Sequence, residues 1–126
     1  MVFADQLQLN GGPRDVRVAR HWLGDWLASQ GVTPEAIDTT TLLVSEMVTN
    51  ALIHTGTVIT VCAKIAGKRV RVEVTDRDPR SVPTRRSAAH DAERGRGVGI
   101  VEALAATWGV DRSATSKTVW FEMACC

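Results

Sequence analysis

Hydrophobic residues first follow a helical repeat along the chain and later a strand repeat. From Pro13 to about Ser29, apolar side chains recur every three or four positions, and they are Val16, Ala19, Leu23, Trp26 and Leu27. Gly31 ends this helix. Residues 33–35 are threonine, proline and glutamate, which supply a cap hydroxyl, a fixed φ and a carboxylate near the positive end of a helix dipole. They predict a second helix over about 34–54.

Alternating and β-branched stretches predict a sheet around these helices. The predicted strands are residues 3–9, 57–65, 68–76, 108–112 and 117–123, with a further helix over 98–107. The segment 79–97 is rich in Pro, Ser, Gly and Arg and predicts a long, mobile loop. This element order is typical of a two-layer α/β sandwich, with helices on one face of a mixed, mostly antiparallel sheet.

Length and composition favour one compact unit. The 126 residues predict a single domain over 1–126, and 44% hydrophobic with 23% charged residues is ordinary for a globular chain. A formal charge of +1 provides no field to hold nucleic acid, so we expect no direct nucleic-acid binding. No apolar run approaches the roughly 20 residues that cross a bilayer, so we expect no membrane contact and a cytoplasmic location.

The cysteines match no metal-ligand spacing. Cys62 falls in an apolar, alternating stretch and predicts a buried side chain. Cys125 and Cys126 end the chain, and we expect them to be frayed and exposed. A reducing compartment is the simplest interpretation.

The second predicted helix carries a polar stripe within an apolar segment. Glu46, Asn50 and His54 recur every four residues, so they share one face within roughly 80°. A carboxylate and a carboxamide one turn apart can hold magnesium, and the carboxylate can also orient or deprotonate a nucleophile. From spacing alone, an ordinary solvent-facing stripe is the favoured explanation, because glutamate and asparagine are common on exposed helix faces.

Two further segments are candidates for ligand contacts. Asp76 ends an alternating strand, where a carboxylate can accept a hydrogen bond from an exocyclic amine such as that of adenine, although Asp78-Pro79 beside it also fits a plain turn. The glycine-rich run 95–99 precedes helix-spaced residues, which suits backbone amides that approach a phosphate. Flexible loop closure is the alternative for that run.

Taken together, these segments resemble the GHKL ATPases, the superfamily of gyrase, the heat-shock chaperone ATPase and the histidine kinases. The string EMVTNALIH at 46–54 looks like the N box, Asp76 like the adenine-binding aspartate, and 95–97 like the glycine box that closes the lid. Thr118 matches a threonine of the last strand. The resemblance covers about residues 15–123 and implies the Bergerat ATP-binding fold, with a lid loop at about 79–97.

The short length and the string VSEMVTNA at 44–51 most resemble the anti-sigma-factor serine kinases of bacteria. Such proteins bind a sigma factor and phosphorylate an anti-anti-sigma antagonist on serine with ATP and Mg2+. The resemblance implies that Glu46 activates the acceptor hydroxyl and that Asn50 holds the metal. The residues that it assigns to the nucleotide site are Asn50, His54, Asp76, Gly95, Arg96, Gly97, Val98, Gly99 and Thr118.

Three functional hypotheses remain open at this stage. Glu46 favours a serine/threonine protein kinase. Asp78, where the family has glycine, and the short lid favour a non-catalytic, ATP-dependent protein-binding switch of the same fold. A structural domain without nucleotide is the third. Arg14, Arg17 and Arg20 on the first helix are candidates for the sigma-factor surface, and a homodimer is a further family expectation.

Overall fold

The computed structural model describes residues 2–55, 57–77 and 107–125. Its elements in chain order are β1 (Val2–Leu9), α1 (Asp15–Ser29), α2 (Pro34–Thr55), β2 (Ile59–Ala66), β3 (Arg69–Asp76), β4 (Thr107–Arg112) and β5 (Lys117–Ala124). These bounds agree with the predicted helices and strands to within two residues. The loop predicted at 79–97 and most of the helix predicted at 98–107 lie outside the described residues.

The strands form one sheet in the order β1-β2-β3-β5-β4, and each neighbouring pair in it is antiparallel. The turn between β2 and β3 passes through Gly67 at φ 61°, a backbone conformation that favours glycine. The predicted α/β sandwich is thereby confirmed. Its described part is fully antiparallel rather than mixed.

The core lies between the two helices and one face of the sheet. On β3 the side chains of Val70, Val72 and Val74 alternate with half-buried residues and face the helices. The helices cover them with a buried layer that includes Leu23, Leu27, Leu43, Val44 and Val48. The predicted start of α2 is also observed, because the Thr33 hydroxyl accepts a hydrogen bond from the Ala36 amide at 3.4 Å. In the part of the chain that the structure describes, neither helix combines the length and the hydropathy of a membrane span.

Two expectations about cysteine were wrong. Cys125 is 1% exposed rather than frayed, because its backbone amide donates a 2.9 Å hydrogen bond to the Lys68 carbonyl and so extends the sheet by one residue. Cys62 is half-buried rather than buried, because its strand position points away from the helices. We refer to the sheet surface on which Cys62 lies, opposite the helices, as the outer face.

Candidate functional site

The polar stripe of α2 borders the core. Glu46 and Asn50 are both half-buried. The buried side chains of the same stretch of helix are Leu43, Val44, Met47, Val48 and Ala51. On a helical wheel the stripe lies along one edge of this buried arc, so the interpretation of Glu46 and Asn50 as a solvent-facing stripe does not fit their burial. His54 belongs to the last turn of α2, and its side chain lies outside the described residues.

Hydroxyl side chains next to the stripe bond to their own helix. Ser45 donates to the Thr41 carbonyl at 2.6 Å, and Thr49 donates to the Ser45 carbonyl at 2.7 Å. These bonds turn both hydroxyls back along α2 and commit their protons to the backbone. Ser45 and Thr49 therefore serve the helix itself, and Glu46 and Asn50 remain the predicted ligand-binding residues of this segment.

The direction of α2 brings the stripe to the far end of β3. Near the start of the helix, the Thr40 hydroxyl contacts the sulfur of Met123 at 3.6 Å, and Met123 pairs with Val70 at the beginning of β3. From Thr40, α2 rises about 15 Å to Asn50 and about 21 Å to His54, while β3 advances about 20 Å from Val70 to its last residue. Because α2 packs on β3, the last turn of α2, which includes His54, reaches the level at which β3 ends, and Asn50 lies about one helical turn before it.

That last residue of β3 is Asp76, and it forms a buried ion pair. The Nζ atom of Lys117 lies 3.2 Å from Oδ2 of Asp76, and the two side chains are 3% and 2% exposed. The residues are directly opposite each other in the β3–β5 ladder. Both therefore face the helix layer, at the edge of the valine core. Charged side chains this deeply buried are rare unless they are paired.

Sequence reasoning missed Lys117 as part of this site. A signal was present, because Lys117 is in phase with Val119, Phe121 and Met123, which share the helix-facing side of β5. A lysine in the inward phase of a strand needs a buried partner. The sequence alone does not tell which carboxylate supplies it, because the partner depends on the register between β3 and β5.

Thr118, which the resemblance places in the nucleotide site, points to the outer face. Its hydroxyl lies 2.7 Å from that of Thr75, and the two share a hydrogen bond. Asp76 and Thr118 are thus on opposite sides of the sheet, one residue apart in register. The structure brings Asp76 together with Lys117 and places Thr118 behind them.

The remaining predicted residues have no described position. Gly95, Arg96, Gly97, Val98 and Gly99 lie between the described ranges, so their assignment to phosphate stays a prediction.

The site described so far combines a half-buried carboxylate and amide on one helix with a buried carboxylate at the end of the central strand. A family model for the histidine kinase-like ATPase domain matches residues 9–123, which include all of these groups. The chain belongs to this ATPase family. The predicted superfamily is thereby confirmed.

Comparison with chains of known structure supports the histidine kinase-like ATPase fold. One of them, described as the RsbU and RsbW domains of Rv1364c from Mycobacterium tuberculosis, superposes with a TM-score of 0.76 at 25% identity. The match covers 98% of the present chain and 32% of that chain, so the present chain spans about a third of the length of the chain that it matches. No curated protein matches the sequence.

The ATPase family implies ATP and magnesium, and the side chains of this chain fit both. Asn50 and Glu46 offer amide and carboxylate oxygens one helical turn apart, which are the ligand types that magnesium prefers. Within residues 2–55, 57–77 and 107–125, no group of three His, Cys, Asp or Glu side chains converges as a metal cage. A donor set of one or two protein oxygens is typical of magnesium that is held jointly with nucleotide phosphates.

Proposed function

We propose that this chain is an ATP-dependent serine protein kinase of the anti-sigma-factor type. The observation that supports this most directly is the run of α2 along β3, in which the polar stripe ascends from Glu46 through Asn50 toward the end of β3 that carries Asp76. Groups suited to a base, a metal and a nucleobase then lie at one end of the sandwich. Phosphoryl transfer requires mainly positioning and charge stabilisation, and these groups can provide both.

Each residue has a distinct role in this proposal. Asp76 accepts a hydrogen bond from the base, and Asn50 holds magnesium, which when bound neutralises phosphate charge. Glu46 takes the proton of the serine hydroxyl as that oxygen attacks the γ-phosphorus, and the bond from this phosphorus to the bridging oxygen breaks to release ADP. The predicted contacts of His54, Arg96 and the glycines of 95–99 with the nucleotide belong to the same proposal. Thr118 supports the pocket indirectly, by fixing the ends of β3 and β5 through Thr75.

The proposed partners are a sigma factor and its anti-anti-sigma antagonist, in the cytoplasm. The resemblance of the sequence to anti-sigma kinases supports them, as does the likeness to a chain that contains an RsbW domain. Arg17 and Arg20 on α1 are exposed, as is Arg14 directly before the helix, and the three offer a basic surface to an acidic partner. The edge strand β1, with Val2 and Phe3 exposed, is the proposed contact of a homodimer.

The kinase proposal is tested by Glu46→Gln, with Glu35→Gln in the first turn of α2 as the matched control. The probe is single-turnover hydrolysis of bound Mg-ATP, in which water replaces the serine hydroxyl. We expect Glu46→Gln to keep ATP affinity within about threefold and to slow hydrolysis by roughly 10²- to 10⁴-fold. The control should hydrolyse ATP like the wild type. Equal rates in Glu46→Gln and the wild type would contradict the role of Glu46.

A non-catalytic switch of the same fold is the second candidate, and Asp78 in place of the family's glycine favours it. In that case nucleotide orders the protein for partner binding, without transfer. Magnesium-dependent ATP binding by a wild-type protein with no measurable hydrolysis would support the switch over the kinase.

A further inference from the structure

A polar pocket opens on the outer face of the sheet, at the end of β3. Its volume of about 360 Å³ is within the range of pockets that hold small ligands. The described residues that line it are Val58, Thr60, Thr75, Arg77, Thr115 and Ser116. The lining thus combines one cation with four hydroxyl side chains and one valine, and none of these described lining residues is a carboxylate.

The register of the sheet assembles this lining away from the helices. Thr60 and Thr75 are direct partners in the β2–β3 ladder, and Thr75 bonds to Thr118 on the outer face. Arg77 follows Thr75 by two positions, which returns its side chain to the same face. The pocket therefore lies on the opposite side of the sheet from Asp76 and from the polar stripe of α2.

The guanidinium of Arg77 can bind a ligand because no acid neutralises it. Arg77 is exposed, and among the side chains that the structure describes no carboxylate lies within ion-pair distance of it. Its backbone amide donates a 3.3 Å hydrogen bond to the Thr57 hydroxyl, which holds this residue beside the start of β2. A guanidinium suits oxyanions such as phosphate, with which it forms two parallel hydrogen bonds.

The turn between β4 and β5 adds a hydroxyl donor, that of Ser116. The Oγ atom of Ser113 accepts hydrogen bonds from the backbone amides of Thr115 and Ser116, at 3.2 and 3.0 Å, and these occupy its two lone pairs. The same atom lies 2.9 Å from Oγ of Ser116, so Ser113 donates in that bond. The hydroxyl proton of Ser116 is then left for a third group, on a residue that lines the pocket.

The other hydroxyls add to this donor set. The bond between Thr75 and Thr118 uses one of their two hydroxyl protons, and Thr60 and Thr115 contribute a hydroxyl each. A phosphate monoester carries about 1.5 to 2 negative charges at neutral pH and presents three acceptor oxygens. Several hydroxyl donors around one guanidinium match that group better than they match an apolar or a cationic ligand.

We propose that this pocket binds a phosphate group, either as inorganic phosphate or as the phosphomonoester of a small molecule. It is a second anion site, on the other side of the sheet from the proposed nucleotide site. The inference does not depend on the proposed function, because none of its lining residues belongs to that site.

Amide chemical shifts of the isotopically labelled wild-type protein test the proposal residue by residue, without magnesium and at constant ionic strength. Inorganic phosphate should cause saturable shifts at Thr60, Arg77 and Ser116 in the millimolar range or below, and acetate should bind at least about tenfold more weakly. Glycerol phosphate distinguishes the two sources: tighter binding than inorganic phosphate supports an organic ester as the ligand, and equal binding supports the free anion. No saturable shift at these residues with either compound, or equal binding of acetate, would overturn the proposal.

Variants then test the lining. We expect Arg77→Gln to weaken phosphate binding by on the order of 10- to 100-fold and Ser116→Ala to weaken it by about threefold to tenfold. Arg69→Gln is the matched control, because Arg69 is exposed on the same face of β3 at its other end. Asn50→Ala, which alters the proposed nucleotide site, should leave the phosphate titration unchanged. Unchanged affinity in Arg77→Gln, the same loss in Arg69→Gln, or loss of phosphate binding in Asn50→Ala would overturn the assignment of this pocket.

Discussion

The ammonium of Lys117 and the carboxylate of Asp76 are direct partners across β3 and β5, 3.2 Å apart and both buried. This pair stands at the end of a strand whose other inward side chains are valines. Removing two charges from water costs several kcal/mol for each ion, which their mutual attraction has to offset. Each of the two charges therefore offsets the cost of burying the other.

Loss of one member of this pair should destabilise the fold more than loss of both. We expect Lys117→Met to lower the free energy of unfolding by about 3–5 kcal/mol, because it leaves the Asp76 carboxylate buried without its cation. The double variant Asp76→Leu with Lys117→Met should recover most of that loss. Urea unfolding of the three proteins measures these differences. A single variant within about 0.5 kcal/mol of the wild type would show that the pair is not buried as described.

Gly109 should not tolerate a side chain. It lies opposite Trp120 in the β4–β5 ladder, and a Cβ atom added there would be 2.6 Å from Cζ2 of the indole. We expect Gly109→Ala to lower the free energy of unfolding by about 1–3 kcal/mol, since the ring must shift from its stacked position under Arg71, whose Cζ is 4.2 Å from the ring centroid. Chemical denaturation followed by tryptophan fluorescence is the measurement.

Gly24→Ala is the control for this prediction. A Cβ atom on Gly24 would meet its nearest neighbour, Cγ2 of Thr41, at 3.6 Å, which is an ordinary contact. The substitution should raise the free energy of unfolding by up to about 1 kcal/mol, because alanine is the better helix former. The two glycine variants should thus shift stability in opposite directions. Equal effects would contradict the packing of Trp120 on Gly109.

The thiol of Cys62 should react slowly in the folded protein. Burial raises its pKa above the ordinary value of 9.0; nearby Lys64 lowers it, while Glu73 and Asp5 raise it further. Because the thiolate is the nucleophile, iodoacetamide at pH 8.5 should modify Cys62 more slowly in the native than in the urea-unfolded chain. Peptide mass spectrometry resolves this cysteine from the others. Equal rates in both states would contradict the raised pKa.

The same shift has a consequence for stability at high pH. The folded state keeps the Cys62 proton to a higher pH than the unfolded state does. The stability contribution is therefore fully present below pH 9.0 and is lost as the pH rises through the folded pKa. Comparison of the wild type with Cys62→Ala between pH 8 and pH 11 isolates this contribution.

Thr118→Val should affect the affinity for the nucleotide only indirectly. The variant removes the 2.7 Å hydrogen bond to Thr75 on the outer face and leaves the helix-facing side chains of β5 unchanged. We expect a loss of stability of about 0.5–1.5 kcal/mol and a decrease in ATP affinity of no more than a few-fold, with Thr118→Ser close to the wild type. A hundredfold loss of affinity with unchanged stability would mean that the hydroxyl contacts the nucleotide directly.

The sequence predicted the elements well because their signals are local. The spacing of Val16, Ala19 and Leu23 defines α1, and the alternation of Val70, Val72 and Val74 defines the inward side of β3. The four-residue spacing of the polar stripe on α2 is local in the same way. Recognising such patterns requires only the repeat lengths of the α-helix and the β-strand.

The features that sequence reasoning missed depend on the register between strands. Lys117 reaches Asp76, and Trp120 covers Gly109, only because β5 pairs with β3 and β4 at one particular offset. Cys125 is buried for a similar reason, since its backbone continues the ladder to Lys68. The alternation along β5 indicates which face Lys117 occupies, but it does not tell which residue of the neighbouring strand lies opposite, because a shift of two residues keeps every side chain on its face.

The central claim is that the chain binds ATP with magnesium at a site that includes Asn50, and calorimetric titration with ATP, with and without magnesium, tests it most directly. The titration compares the wild type with Asn50→Ala and with Asn10→Ala, a control at an exposed asparagine. We predict saturable, magnesium-dependent binding in the micromolar range, about −7 to −8 kcal/mol, that weakens in Asn50→Ala and is unchanged in Asn10→Ala. No binding to the wild type at millimolar ATP, or equal binding by all three proteins, would contradict the proposed nucleotide site.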